Sequence, residues 1–303
     1  MNIAALGYVT IESTDLKKWM EFGTQVLGLM VASDISTPHQ LYLKMDDYQY
    51  RLRIVLGKKD RFLSPGWELP GQNAFTAAVQ RLQQAGVSVE LGNAQESLAR
   101  RVKQFARFID PAGKVGEIFW GLALDYLPLI SPVGVHRFVT GHSGDMGLGH
   151  IAMTTPDIEA SHRFYTEVMG FGQTDTMHIY ETPDKSDAGH ALHFLHVNNP
   201  RHHSLALYHD ANEAPGELVH LMLEVEDLDT LGMMQDRVRA LSVPIVTDMG
   251  RHTNDRMVSM YVQSPAGFAV EYGFGGLQLN WSQYLPTISD RTSIWGHRWN
   301  QGG

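Results

Sequence analysis

The feature that most constrains the fold is an internal repeat that covers most of the chain. Residues 6–11 place Tyr8 in a run of apolar and small side chains, and the same pattern returns around His150 after 142 residues. Each copy continues with an aspartate, a helical stretch and a closing glycine, which is Gly28 in the first copy and Gly170 in the second. Such self-similarity predicts a fold built from two equivalent halves.

The ends of the two copies are also similar, but at a larger offset. Glu117 ends a segment that resembles the segment ending at Glu271, and the two glutamates are 154 residues apart. The second copy is therefore 12 residues longer internally. The chemistry differs as well, because Tyr8 stands in the first copy where the second has His150.

The periodicity of apolar residues divides the chain into four units, and each unit has the pattern of a strand, a helix and three further strands. Thr14 or Asp15 is predicted to begin the helix of the first unit, and Asp157 that of the third. Helices are predicted at residues 74–85 and 228–241 in the other two units. The pattern predicts an α+β fold with two domains, each made of two βαβββ modules.

Proline and glycine mark the expected boundary between the two halves. They recur between residues 122 and 143, which we interpret as a linker. We expect an N-terminal domain of residues 1–135, a C-terminal domain of residues 136–280, and a tail of residues 281–303 that packs back on the body.

Composition excludes several classes of protein. A chain of 303 residues with 43% hydrophobic residues is long enough for two domains with separate cores. A net charge of -9 without a basic cluster argues against nucleic acid or an anionic membrane as partner. The absence of cysteine excludes disulfides and thiolate metal ligands. No secretion signal and no apolar run of membrane-spanning length is seen, so a soluble cytoplasmic protein is expected.

Three residues in strand-like runs form a candidate metal site. His150, His220 and Glu271 are separated by 70 and 51 residues. Two imidazoles and one carboxylate on one face of a sheet are typical of a redox-active Fe(II) that keeps coordination positions open. Thirteen of the 15 histidines lie between residues 136 and 252, and any one of them alone is more often a surface or packing residue. The three residues therefore indicate a metal site only when they are taken together.

Other polar residues in the second half are expected to be structural or solvated. His193 and His196 are three apart on a strand, so they should point to opposite faces and cannot form a ligand pair. His162 is predicted on the solvated side of a helix. We interpret Glu224 and Glu226, near the polar exit of a strand, and the distant His297 as structural.

At this point the chain resembles the vicinal oxygen chelate superfamily, and within it the two-domain type I extradiol catechol dioxygenases. Five segments carry the resemblance, in order along the chain, and they are residues 147–150, 199–206, 219–224, 250–261 and 270–275. The resemblance implies a vicinal oxygen chelate fold, a catalytic C-terminal domain, a degenerate N-terminal copy without metal, and a homo-oligomer.

The resemblance also implies roles for residues beside the metal. His203 would be the acid and base, since an imidazole with a pKa near 6.5 can exchange protons near neutrality. His252 and Tyr261 would hydrogen-bond the hydroxylated edge of the substrate. His202, which precedes the catalytic histidine, is expected to be structural.

Three further residues are candidates for the substrate pocket. Ala152 should share a strand face with His150, and its small side chain would leave room for an aromatic substrate larger than catechol. Asn254 and Asp255 are expected to hold the loop after His252 through bonds from side chain to backbone, or to contact the substrate.

The predicted function is extradiol cleavage, by O2, of a bicyclic or polycyclic catechol such as 2,3-dihydroxybiphenyl, with Fe(II) as cofactor and Mn(II) as the other possible metal. A steroid-derived catechol is the alternative substrate. A non-oxidative metalloenzyme of the same fold, similar to a glyoxalase, would not need His203, His252 and Tyr261 together. A protein that only binds an aromatic molecule would have no reason to keep three metal ligands.

Overall fold

Two mixed β-sheets with helices packed on them make up the part of the chain described by the computed structural model, which is residues 1–180, 182, 184–209 and 216–299. The four predicted βαβββ modules are present in the expected order, two in each sheet. No helix among these residues is long and apolar enough to cross a membrane.

The N-terminal sheet has eight strands, in the spatial order β2-β3-β4-β1-β5-β8-β7-β6. They are β1 (Ala5–Ser13), β2 (Met30–Val31), β3 (Gln40–Lys44), β4 (Leu52–Leu56), β5 (Arg61–Leu69), β6 (Val89–Leu91), β7 (Gln104–Ile109) and β8 (Val115–Trp120). The helices of this half are α1 (Leu16–Glu21), which continues as a π-helical turn (Phe22–Val26), α2 (Gln72–Gln84) and α3 (Ala94–Ala99). The antiparallel pair β1 and β5 joins the two modules.

The C-terminal sheet repeats this plan with ten strands, in the order β17-β10-β11-β12-β9-β13-β16-β15-β14-β18. They are β9 (His150–Thr155), β10 (Gly172–Ile179), β11 (His190–His196), β12 (Leu205–His209), β13 (Leu218–Val225), β14 (Ile245–His252), β15 (Val258–Gln263), β16 (Ala269–Phe274), β17 (Ile288–Ser289) and β18 (Ser293–Trp295). The helices are α4 (Ile158–Arg163), followed by a second π-helical turn (Phe164–Val168), and α5 (Leu228–Ala240). The last two strands come from the tail and extend both edges of the sheet.

Local capping explains where the first helix of each half begins and ends. The Asp15 carboxylate accepts hydrogen bonds from two backbone amides of α1, and the Asp157 carboxylate accepts one, from the amide of Ala160 in α4. Of the two predicted starts, Asp15 is therefore the cap. Gly28 and Gly170 have φ values of 79° and 78°, which only glycine adopts readily, and they turn the chain into the next strand.

A shared apolar core holds the two halves together. Trp67 of β5 meets Phe171 of the second half edge to face, with ring centres 4.9 Å apart. Tyr165 donates a hydrogen bond of 2.8 Å to the buried carboxylate of Asp110 across the same contact. Packing against the first half therefore helps to position the second half.

The centre of the N-terminal sheet is filled by a buried cluster of Tyr8, Arg100 and Glu117, here called the Tyr–Arg–Glu cluster. Tyr8 donates to Glu117 at 2.7 Å, and Arg100 donates to both oxygens of the same carboxylate at 2.8 and 2.6 Å. Gly66 makes room for the tyrosine, because a Cβ there would lie 2.5 Å from the ring of Tyr8. A guanidinium and a phenol thus satisfy the glutamate that corresponds to Glu271.

Replacement of Arg100 by methionine is expected to destabilise the protein by about 3–5 kcal/mol, because the buried charge of Glu117 loses its closest cation and keeps only the hydrogen bond from Tyr8 and a contact of 3.7 Å with Arg107. Chemical denaturation would measure the loss. The matched control is Arg61→Met, which breaks an exposed ion pair with Glu12 and should change stability little. A loss for Arg100→Met no larger than that of the control would contradict a structural role for the cluster.

Candidate metal centre and substrate cavity

Three neighbouring strands bring the candidate ligands to one face of the C-terminal sheet. In the register of β9, β13 and β16, Met222 pairs with His150 on one side and with Glu271 on the other. His220 lies two residues before Met222 on β13 and so shares that face. Residues far apart in sequence are therefore adjacent because their strands are.

The three side chains converge on a common point. Nε2 of His150 lies 3.0 Å from Nε2 of His220 and 3.2 Å from Oε2 of Glu271, and the third separation, between His220 and Glu271, is 3.4 Å. Imidazole nitrogens and carboxylate oxygens bind a divalent metal at about 2.1 Å, so ligands at right angles lie about 3.0 Å apart. These separations fit three adjacent ligands of one metal ion.

The protonation states of His220 and Glu271 also suit a metal. Burial lowers the pKa of His220 to about 3, so its imidazole is neutral. Burial opposes the charged form of Glu271, but hydrogen bonds from His150 and His252 hold the pKa of this carboxyl well below its ordinary value. A neutral imidazole and an anionic carboxylate are the forms that bind metal.

One carboxylate oxygen of Glu271, Oε1, is held in place by neighbouring side chains. Ser259 of β15 donates to Oε1 at 2.6 Å, and Nε2 of His252 lies 3.1 Å from the same atom. His297, from the tail, contacts Ser259 through its ring nitrogen at 3.2 Å. Because Oε1 is occupied in this way, Oε2 is the oxygen left for a metal.

His252 and Tyr261 form a second polar pair beside the trio. Nδ1 of His252 donates to the carbonyl of Thr292 at 3.0 Å, and its Nε2 lies 2.8 Å from the hydroxyl of Tyr261. Burial disfavours the charged form of His252, yet the neighbouring carboxylate of Glu271 raises its pKa to about 9. Burial raises the pKa of Tyr261 well above its ordinary value, so the phenol remains a hydrogen-bond donor.

His203 lies beside the ring of His150. Its ring centre is 3.9 Å from that of His150, and the side chain is buried. Burial lowers the pKa of His203 well below its ordinary value, so the ring is neutral at rest and can accept a proton.

These groups line one end of a cavity of about 470 Å³. Its polar end carries the trio together with His203, His252, Tyr261, Asn254, Asp255 and His297. The other end is mainly apolar and is lined by Ala152, Met177, Ile179, Leu192, Phe194, Ala206, Tyr208 and Val219. The tail also contributes to the lining, through Thr292, Ser293 and Trp299. A cavity of this size with polar groups at one end is typical of a site for a small molecule.

All nine residues predicted for the site therefore lie in one cavity. Asp255 also holds its loop as expected, because its carboxylate accepts the backbone amide of Met257 at 3.0 Å. Two neighbouring expectations need correction. His162 is not on a solvated face but is half-buried, 2.6 Å from Oε1 of Gln173. Glu224 is not at a polar exit, since it is buried and pairs with Arg201 at 2.6 Å.

Sequence reasoning missed the contribution of the tail. His297, expected to be a distant structural residue, stacks on His252 with ring centres 4.2 Å apart and lines the cavity. Trp299 packs against Tyr261 at 5.4 Å. The amino-acid sequence of the tail shows neither the repeat nor a pattern typical of strands. Its position at the site is therefore known only from its contacts in the structure. Ser259 could have been found, because it shares a strand face with Tyr261 two residues away.

Two family profiles match the chain. That of the Glyoxalase/Bleomycin resistance protein/Dioxygenase superfamily covers residues 147–272. That of Dihydroxybiphenyl dioxygenase BphC D1 covers residues 6–57. The matches fall in different halves, in agreement with the internal repeat.

Curated relatives match over nearly the full length. The iron-dependent extradiol dioxygenase of Rhodococcus jostii is 40% identical, with 100% of this chain and 99% of the relative covered. The biphenyl-2,3-diol 1,2-dioxygenase of Paraburkholderia xenovorans is 35% identical, with 98% and 96% covered.

A solved structure confirms the fold. The crystal structure of BphC, a halotolerant catechol dioxygenase, superposes with a TM-score of 0.87 at 34% identity, covering 98% of this chain and 95% of the other. The predicted vicinal oxygen chelate fold and the resemblance to extradiol dioxygenases are both confirmed. By this fold and by identity over its whole length, the chain belongs to the extradiol dioxygenases of the glyoxalase and dioxygenase superfamily.

Proposed function

We propose that this protein is an Fe(II)-dependent extradiol dioxygenase that opens the ring of a bicyclic catechol such as 2,3-dihydroxybiphenyl. The observation that carries the proposal is the convergence of His150, His220 and Glu271 within 3.4 Å of one another at the polar end of an otherwise apolar cavity. The relatives named above act, by their names, as an iron-dependent extradiol dioxygenase and on biphenyl-2,3-diol.

His150, His220 and Glu271 are the residues that would hold the metal. Fe(II), when bound, supplies a redox-active centre that can take up both catechol oxygens and O2 side by side. Mn(II) is the alternative, since it accepts the same donor set. The trio would hold the ion at the polar end of the cavity, where a substrate would enter.

His203 is proposed as the acid and base. It is neutral at rest and lines the cavity next to the trio, so it can accept a proton from a catechol hydroxyl. The same ring can return that proton later, when the O–O bond is cleaved and an oxygen needs protonation. Its burial keeps water from competing for the proton.

His252 and Tyr261 are proposed to orient the substrate. Their polar atoms are 2.8 Å apart and lie at the same end of the cavity as the trio. The Tyr261 phenol keeps its proton, so it can donate to the oxygen of a bound catechol that becomes anionic. Asn254 and Asp255 border this end and belong to the proposed pocket.

The apolar end of the cavity is proposed to receive the part of the substrate beyond the catechol ring. Ala152 and Ala206 are directly paired on β9 and β12, and these two small side chains line the cavity together with Phe194 and Met177. This supports a second ring, as in 2,3-dihydroxybiphenyl. A steroid-derived catechol is the second candidate, since its apolar body would enter the same end.

The remaining predictions complete the proposal. We assign catalysis to a domain of residues 136–280, and a supporting role to residues 1–135, whose Tyr–Arg–Glu cluster fills the place of a metal site. A homo-oligomer in the cytoplasm is the expected state. A glyoxalase-like reaction is disfavoured because such chemistry would not require His203, His252 and Tyr261 around the trio.

The decisive experiment is O2 uptake by protein loaded anaerobically with Fe(II), after addition of 2,3-dihydroxybiphenyl. Stoichiometric uptake with a yellow ring-opened product is expected. Glu271→Ala should lose most of its bound iron, measured by metal analysis, and its activity with it, because the only anionic ligand of the trio is removed. Bound zinc or nickel with turnover but no O2 demand would overturn the proposal.

Replacement of His203 by glutamine tests the role of the base. The kcat is expected to fall about 10²–10⁴-fold, because proton transfer loses its positioned group, while the iron content stays unchanged. Steady-state kinetics beside metal analysis would separate the two effects. A kcat close to that of the unaltered protein would remove His203 from the mechanism.

Enlarging Ala206 tests the substrate class. Ala206→Leu fills the apolar end, so kcat/KM for 2,3-dihydroxybiphenyl is expected to fall about tenfold or more relative to that for catechol. Parallel kinetics on both substrates would measure this change in ratio. If the unaltered enzyme turns over catechol at least as efficiently as 2,3-dihydroxybiphenyl, the bicyclic assignment is wrong.

A further inference from the structure

We propose that Asp175 and His202 are positioning residues that fix which ring nitrogen of His203 carries hydrogen, so that the lone pair of its Nε2 is presented to the substrate. The inference rests on the proposed role of His203 as proton acceptor. It assigns a role in positioning His203 to His202, which the sequence alone predicted to be a structural residue.

A continuous row of polar contacts leads from Asp175 to His203. Oδ2 of Asp175 lies 2.9 Å from Nε2 of His202, and Nδ1 of His202 lies 3.0 Å from Nδ1 of His203. The three side chains are 1%, 2% and 3% exposed, so water does not offer them alternative partners. Each contact must therefore be satisfied by these groups themselves.

The carboxylate determines the hydrogen positions along this row. An ionised Asp175 can only accept, so Nε2 of His202 carries hydrogen. With hydrogen on Nε2 alone, His202 presents a lone pair at Nδ1, and Nδ1 of His203 is then the donor to it. In neutral His203 the other nitrogen, Nε2, is left with its lone pair for the cavity that this residue lines.

The tail keeps Asp175 in its accepting form. Oδ1 accepts from the backbone amide of Thr287 at 2.6 Å and from its hydroxyl at 3.0 Å, and the hydroxyl of Tyr284 lies 3.0 Å from both carboxylate oxygens. Burial opposes ionisation, but the hydrogen bonds from His202 and these groups lower the pKa of Asp175. A carboxylate with this many donors remains ionised and accepting.

Asp175→Asn is a sharp test because its effect on the row can be predicted. The donors around Oδ1 would hold the amide oxygen there, which turns the amide NH2 toward His202. Nε2 of His202 must then accept, so its Nδ1 carries hydrogen and donates to Nδ1 of His203. The hydrogen of His203 moves to Nε2, and the lone pair for the substrate is lost.

The tautomer can be measured by ¹⁵N NMR on the full chain labelled at histidine and loaded with diamagnetic Zn(II), with His203→Gln to assign the signals. The unaltered protein should show His203 with hydrogen on Nδ1, and Asp175→Asn should show it on Nε2. With Fe(II), kcat of Asp175→Asn should fall at least about 100-fold with KM changed less than about threefold. His203 carrying hydrogen on Nε2 in the unaltered protein would overturn the proposal.

Two matched variants separate positioning from stability. Asp110→Asn alters another buried carboxylate, which accepts from Tyr165 outside the site, and should leave kcat and the His203 tautomer unchanged. Tyr284→Phe removes one donor to Asp175 but leaves the order of donors and acceptors along the row, so the tautomer should persist. Equal losses of kcat in Asp110→Asn and Asp175→Asn would contradict the proposal.

A further variant covers the case in which Asp175→Asn does not fold. His202→Phe keeps a ring but removes the acceptor for Nδ1 of His203, so the ¹⁵N signals should become those of mixed tautomers and kcat should fall at least about tenfold. An unchanged single tautomer with unchanged kcat would refute the inference. If no catechol gives O2 uptake with the unaltered enzyme, the proposed function fails, whereas the NMR result still decides the tautomer.

Discussion

A carboxylate buried at the centre of a sheet is the constraint on which both halves of this protein depend. Such a charge is costly unless positive partners or hydrogen bonds compensate it. In the N-terminal half, Arg100 and Tyr8 donate hydrogen bonds directly to both oxygens of Glu117. In the C-terminal half, Oε2 of Glu271 faces the imidazoles of His150 and His220, and Ser259 and His252 contact only the other oxygen, Oε1. The same fold thus gives a closed structural centre and a centre suited to a metal.

The two centres show how the two halves of a duplicated fold have come to carry different buried groups. The shared core contains apolar side chains from both halves and so supports the position of the second sheet. The second sheet can then keep convergent polar groups beside a cavity, an arrangement that contributes chemistry rather than stability. The tail holds residues next to these polar groups in place. Tyr284 and Thr287 contact Asp175, and His297 contacts Ser259.

Much of the site could be predicted because strand pairing in a duplicated fold is regular. The repeat aligned Tyr8 with His150, and alternation along β13 placed His220 on the face of the other ligands. The roles of His203, His252 and Tyr261 came from a resemblance to a family, since spacing alone could not separate them from packing residues. Burial of His162 and Glu224 was not foreseen, because their partners Gln173 and Arg201 come from other elements.

The sequence by itself determined the four modules and the duplication, and it singled out the candidate trio and Tyr8 at the position that matches His150, because these depend on local periodicity and residue type. Only the tertiary structure decided the shape of the cavity, the row from Asp175 to His203 and the position of His297 beside His252. The physical reason is that these features arise where segments distant in sequence meet, and no local pattern in the tail encodes its contacts with the sheet.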